Sequence, residues 1–239
     1  GQNKVVTANI DIYERYVQIQ TKSSIDAKTI KVLNPKEVVF EGGRELELDA
    51  VSEVPRYYVC NAYGVCGIYS APGTAVKEAY DTSGIVTNDR GVTVWLKGNR
   101  VSRNQIMAIK EESVTEQKNS LAVCLDNILR HAGITRNTEY DLAQGKTATT
   151  ILSENMTGVQ VLDLSGCTLD AVLYYVNQDI PVLAILEDGE AVLVTGFNEF
   201  NVVIMEPATG KLYKKGMNDA TAWFAENGNH FITYMRIEN

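Results

Sequence analysis

PVLAILEDGEAVLVTGFNEFNVVIME, residues 181–206, decides the fold. Three runs rich in apolar and β-branched residues, 181–186, 191–197 and 201–205, are parted by Glu187-Asp188-Gly189-Glu190 and by Asn198-Glu199-Phe200. Gaps that short leave room only for tight turns, so the spacing predicts an antiparallel meander. The strands are almost continuously apolar, which predicts burial on both faces. Such a sheet needs cover, and the residues before it supply helices.

The strongest helical pattern covers 120–132, where Leu121, Cys124, Leu125, Ile128, Leu129 and Ala132 share one stripe. Ser120 reads as its N-cap and Gly133 as its stop. Shorter helices are expected over 139–144 and 147–155. Another spans 168–178, capped by Thr168 and burying Leu169, Val172, Leu173 and Val176. Beyond the meander, 219–227 reads as a helix and 230–237 as a last strand. Helices leading into an antiparallel sheet make an α+β domain over residues 116–239, with the first helix packed in the curve of the sheet.

Residues 1–110 read differently, as a small mixed α/β-sheet module. Short β-rich runs at 5–12, 16–21, 29–33, 38–40 and 45–50 are followed by a hairpin over 57–69, a helix over 71–80 with Pro72 in its first turn, and a hairpin over 84–96. The polar mixture over 97–119 is taken as the boundary. This module contains no histidine, so a spacer or interaction role fits it best. Trp95, Tyr57, Tyr58, Tyr63 and Tyr69 could line a binding face or simply fill the strand core.

Of the 239 residues 45% are hydrophobic and 22% charged, and the net charge is −8. Residues 116–239 hold 8 Lys+Arg against 16 Asp+Glu, so the excess acid lies wholly in the second half. A chain with pI near 4.9 and no basic stripe lacks the footprint of nucleic-acid binding. No run approaches the roughly 20 apolar residues of a membrane span. No motif for a cofactor or a metal is found. Glu187, Asp188 and Glu190 crowd one turn without the spacing of a calcium loop, so a solvated charged turn is expected there.

Four cysteines and two histidines narrow the chemistry. Cys60 and Cys66 sit where a disulfide could close across a hairpin turning at Gly64, or where two small apolar residues could be buried. Cys167, near Asp163 and Asp170, reads as structural.

Cys124 near the start of the strongest helix, with Gln117 seven residues before it and Ile128, Leu129 and Gly133 after it, resembles the nucleophile segment of papain-like cysteine peptidases. The resemblance is to the bacterial branch related to peptidases that remove double-glycine leaders from bacteriocin precursors. Residues 180–184, 189–197 and Glu206-Pro207 with Gly210 resemble that branch's histidine strand, its following hairpin and the Asp-Pro that orients the histidine. The likeness covers about residues 116–239.

It implies a papain-like fold, a thiolate at Cys124, oxyanion stabilisation by Gln117, and a bacterial, extracytoplasmic or envelope location. Gly1 in place of an initiating Met fits an upstream signal or anchor having been removed. Where the family has histidine, however, this chain has Glu190, and where it has aspartate, Glu206. A thiol becomes a useful nucleophile when an imidazolium lowers its pKa; a carboxylate there does the reverse. His131 lies about 10 Å further along the same helix and cannot serve Cys124. His230 is the remaining candidate for a relocated base. The leading expectation is thus a two-module protein that has kept the scaffold, lost the triad, and binds a peptide or protein through a site around Glu190 and Glu206. The competing one is an active peptidase or amidase using Cys124 and His230.

Overall fold

In the computed structural model the described residues are 55–64, 66–98, 103, 106, 109–111 and 119–237, together with the backbone of five short strands before residue 48. These five are β1 (Thr7–Ile10), β2 (Val17–Gln20), β3 (Ile30–Asn34), β4 (Glu37–Phe40) and β5 (Arg44–Glu47). They form two antiparallel sheets, β1-β2 and β3-β4-β5. All five fall within the runs expected from the sequence or within one residue of them.

The next unit is a four-stranded antiparallel sheet covered by one helix. It contains β6 (Tyr57–Cys60), β7 (Cys66–Tyr69), α1 (Pro72–Thr82), β8 (Ile85–Asn88) and β9 (Thr93–Leu96), with strand order β7-β6-β8-β9. Pro72 starts α1, where its missing N–H costs nothing, and Ser83 ends it in the left-handed region at φ 54°. Gly73 is required by a close approach. A Cβ there would lie 2.9 Å from the Ser165 carbonyl oxygen, so only glycine lets α1 rest on that turn of the second half.

The second half runs α2 (Ser120–His131), α3 (Glu139–Ala143), α4 (Ala148–Asn155), β10 (Val159–Asp163), α5 (Leu169–Asn177), β11 (Val182–Ile185), β12 (Ala191–Phe197), β13 (Asn201–Glu206), β14 (Lys211–Gly216), α6 (Met217–Glu226) and β15 (His230–Arg236). Its sheet has the order β10-β15-β11-β12-β13-β14, antiparallel throughout. The expected meander is therefore the sheet's centre, and every residue of β12 is buried. Helix α2 packs on β11 and β12, and α5 also packs on both strands.

Ser120 is not the cap of α2. Asn119 is, accepting from the Leu121 and Ala122 N–H groups, and this frees the Ser120 hydroxyl to accept from the Ala191 N–H at 3.0 Å. Two strands were not expected. β10 carries half-buried polar Gln160 in an otherwise strand-like run, and β14 is a lysine-rich edge, the composition that protects a sheet edge from pairing.

The two halves share a core. Apolar packing runs without a break from Tyr57, Val76 and Trp95 to Leu125, Leu183 and Leu193. Trp95 Nε1 donates to the Ala171 carbonyl and the Tyr175 hydroxyl to the Val94 carbonyl, both at 3.0 Å. Tyr80, Trp95, Tyr174 and Tyr175 form a chain of ring contacts. Trp95 and Tyr57 are thus core, whereas Tyr63 stands exposed at the hairpin tip. Within the polar stretch between the halves, the Ile106 N–H donates to the Thr195 carbonyl and the Phe197 N–H to the Arg103 carbonyl. That stretch thereby pairs with β12 beyond Val194, where β11 has ended.

Candidate functional site

The start of α2 and the start of β12 are clamped together by the Ser120–Ala191 hydrogen bond. This brings Glu190, one residue before β12, close enough to act electrostatically on Cys124.

The chemistry of the pair is unfavourable to a nucleophile. Cys124 is 0% exposed, and burial pushes its thiol far above its ordinary value, with the Glu190 carboxylate pushing the same way. Cys124 is the fifth residue of α2, beyond the first turn in which a helix dipole helps an anion. Both causes raise it, so the sulfur is held as a thiol.

The other candidates lie elsewhere. His230 opens β15, exposed and in register with Ile185, which itself faces Ala191. Two strand spacings, about 10 Å, thus separate the His230 and Ala191 backbones. The imidazole folds back on its own turn: a Cβ on Gly228 would lie 2.7 Å from its Nε2. Glu206, exposed at the end of β13, accepts from the Thr209 hydroxyl at 2.7 Å. Gln117 lies outside the described residues. Glu190 sits in a tight turn whose Gly189 has φ +83°, its own N–H donating to the Asp188 carboxylate.

Cys167 is 1% exposed, and its sulfur donates to the Gly73 carbonyl. Burial pushes its thiol up to about 12, with Lys77 opposing and Asp163 adding. Cys60 and Cys66 are disulfide-bonded across β6 and β7. Among the described residues no group of three or more His, Cys, Asp or Glu could hold a metal, and no helix is long and apolar enough to cross a membrane. His131, set aside as a partner for Cys124, instead approaches the Asp179 carbonyl with Nε2 at 2.6 Å. No sequence signal pointed to that contact, because Asp179 lies 48 residues away.

No family model matches this sequence, and no curated protein is similar to it. Among solved structures, a candidate C39-like peptidase from Bacillus anthracis is similar at 13% identity and a TM-score of 0.48, over 58% of this chain and 100% of that one.

Proposed function

We propose that residues 116–239 are a papain-like cysteine-peptidase scaffold that binds a peptide or protein segment and does not cleave it, and that residues 1–110 form a second module. The observation that carries this reading is the state of Cys124, fully buried with Glu190 rather than an imidazole as the charge acting on it. Acyl transfer by cysteine needs a thiolate and a proton acceptor within hydrogen-bond reach. The arrangement supplies neither. The Cys60–Cys66 disulfide supports a setting outside the reducing cytoplasm, in line with an envelope role.

The test is incubation of the full chain with a degenerate peptide library, read by mass spectrometry for cleavage and by affinity capture for binding. Capture without turnover is expected. Cleavage that disappears in Cys124→Ala would overturn the proposal, as would the absence of any captured peptide.

A further inference from the structure

The two faces of the β7-β6-β8-β9 sheet differ in state. On the inner face Tyr57, Val59, Val86 and Trp95 are at most 3% exposed and belong to the continuous core. The outer face is read from the register. One row crosses all four strands as Cys66, Cys60, Ile85 and Leu96, and the next runs Ile68, Tyr58 and Thr87. Cross-strand neighbours share a face, so this surface consists of the Cys60–Cys66 disulfide, four large apolar or aromatic residues and one threonine. Ile85 is 48% exposed and Leu96 38%. Charge approaches the surface at its Tyr58 end, where Arg56 and Asp89 act on the phenol. An antiparallel sheet can leave one face to water, but such a face is normally polar. An apolar one calls for a second layer.

The strands that precede this sheet carry a matching surface. In β3-β4-β5 the register aligns Ile30 with Phe40, and Val32 with Val38 and Leu46, so these five share one face with Arg44. Lys31, Glu37, Val39, Glu45 and Glu47 share the other. A sheet so divided must bury its apolar face against another layer. Residues 48–56 connect β5 to β6, up to about 30 Å of extended chain, whereas packed sheets lie only about 10 Å apart. The connection therefore reaches without strain and holds the two surfaces at high effective concentration. The β1-β2 hairpin also has an apolar face, of Ala8, Ile10, Val17 and Ile19, but it is two strands wide and further from Tyr57 along the chain.

We propose that the β3-β4-β5 sheet docks face to face on the outer surface of β7-β6-β8-β9, setting Ile30, Val32, Val38, Phe40 and Leu46 against Ile68, Tyr58, Ile85 and Leu96. Residues 30–96 then form a β-sandwich backed by α1, with the acid-rich face of the smaller sheet turned to water. The most apolar open surface of the first module is thereby an internal interface, and a partner protein has to be met elsewhere on the chain.

Leu96→Cys in the full chain tests this. Cys124 and Cys167 are buried and Cys60 is bonded to Cys66, so the new thiol is the one that a disulfide reagent meets in the folded protein. With the sheets packed it should react at least about tenfold more slowly than free cysteine, the mark of an undocked population below about one tenth. Adding Val38→Lys, on the apolar face of the smaller sheet, should restore the free-cysteine rate, whereas Val39→Lys, on the opposite face, should not. Circular dichroism checks that each variant is folded. A second measurement needs no added cysteine: Ile85→Lys should speed amide hydrogen exchange across residues 30–47 several-fold and leave residues 119–237 unchanged. A Leu96→Cys thiol that reacts freely from the start would overturn the proposal. So would a slow thiol that a folded Val38→Lys does not release, one released by Ile19→Lys in the hairpin instead, one whose rate rises on dilution because a second copy is the cover, or unchanged exchange in Ile85→Lys.

Discussion

Thiol accessibility is where the account of Cys124 is most exposed to refutation. The perturbation is denaturant, and the reagent is a large excess of a disulfide probe such as 5,5′-dithiobis(2-nitrobenzoate) near pH 8. The two free cysteines, Cys124 and Cys167, are 0% and 1% exposed, so each reacts only when the structure around it opens. If that opening costs about 5 kcal/mol, the low end for a domain, labelling is slowed about 10³- to 10⁴-fold relative to a free thiol. The native chain should therefore release essentially no colour over the first minutes. In urea the two free thiols should react, and reduction should raise the count to four by opening Cys60–Cys66. Rate plotted against urea should follow the unfolding curve. A native thiol that reacts at the rate of free cysteine, and vanishes in Cys124→Ala, would refute burial as the cause of inertness and with it the non-catalytic reading.

Three further outcomes follow from the same structure. Cys167 is pushed from an ordinary 9.0 to about 12 and Cys124 is pushed up as well; both bind protons more tightly folded than unfolded, so the stability they contribute is complete below about pH 9 and declines above it. Urea midpoints from pH 7 to 10.5 should fall at high pH, at about 1.4 kcal/mol per pH unit for each thiol, and a flat profile would contradict the assignment. Reducing Cys60–Cys66, which closes a loop with a sequence separation of 6, should cost roughly 2 kcal/mol, seen as a lower midpoint in reductant. Because the core is continuous and Trp95 bonds across to Ala171, the single-tryptophan variants Trp95→Phe and Trp223→Phe should each show one fluorescence transition coinciding with circular dichroism; two separated transitions would mean that the halves fold independently.

Much of this architecture was legible because its signals are local. The 120–132 stripe, the Thr168 cap and the 181–206 meander each depend on residues a few positions apart, and each element lies within about two residues of its expected place. Strands β10 and β14 were missed for opposite reasons. Gln160 in β10 serves Tyr57 and Asn88 across the layer interface, a partner that no window around residue 160 contains. Lys211, Lys214 and Lys215 in β14 have the composition of a polar loop, and only pairing with β13 makes them a strand. The cap of α2 was displaced by one residue because Ser120 had a second use, holding Ala191.

At the candidate site the sequence could suggest that a charge acts on Cys124, but not how deeply the sulfur is buried. The Glu190 carboxylate acts on the thiol, but burial is the larger of the two causes. The order matters for any attempt to place a base beside the sulfur. Glu190→His would remove the smaller penalty and add an imidazole, yet the sulfur would still be fully buried. An imidazole can lower a thiol pKa only if the ion pair it forms is solvated or hydrogen-bonded, and the apolar side chains around Cys124 provide neither. A protonated thiol is a small apolar residue that packs well, and a packed thiol has no use for a base.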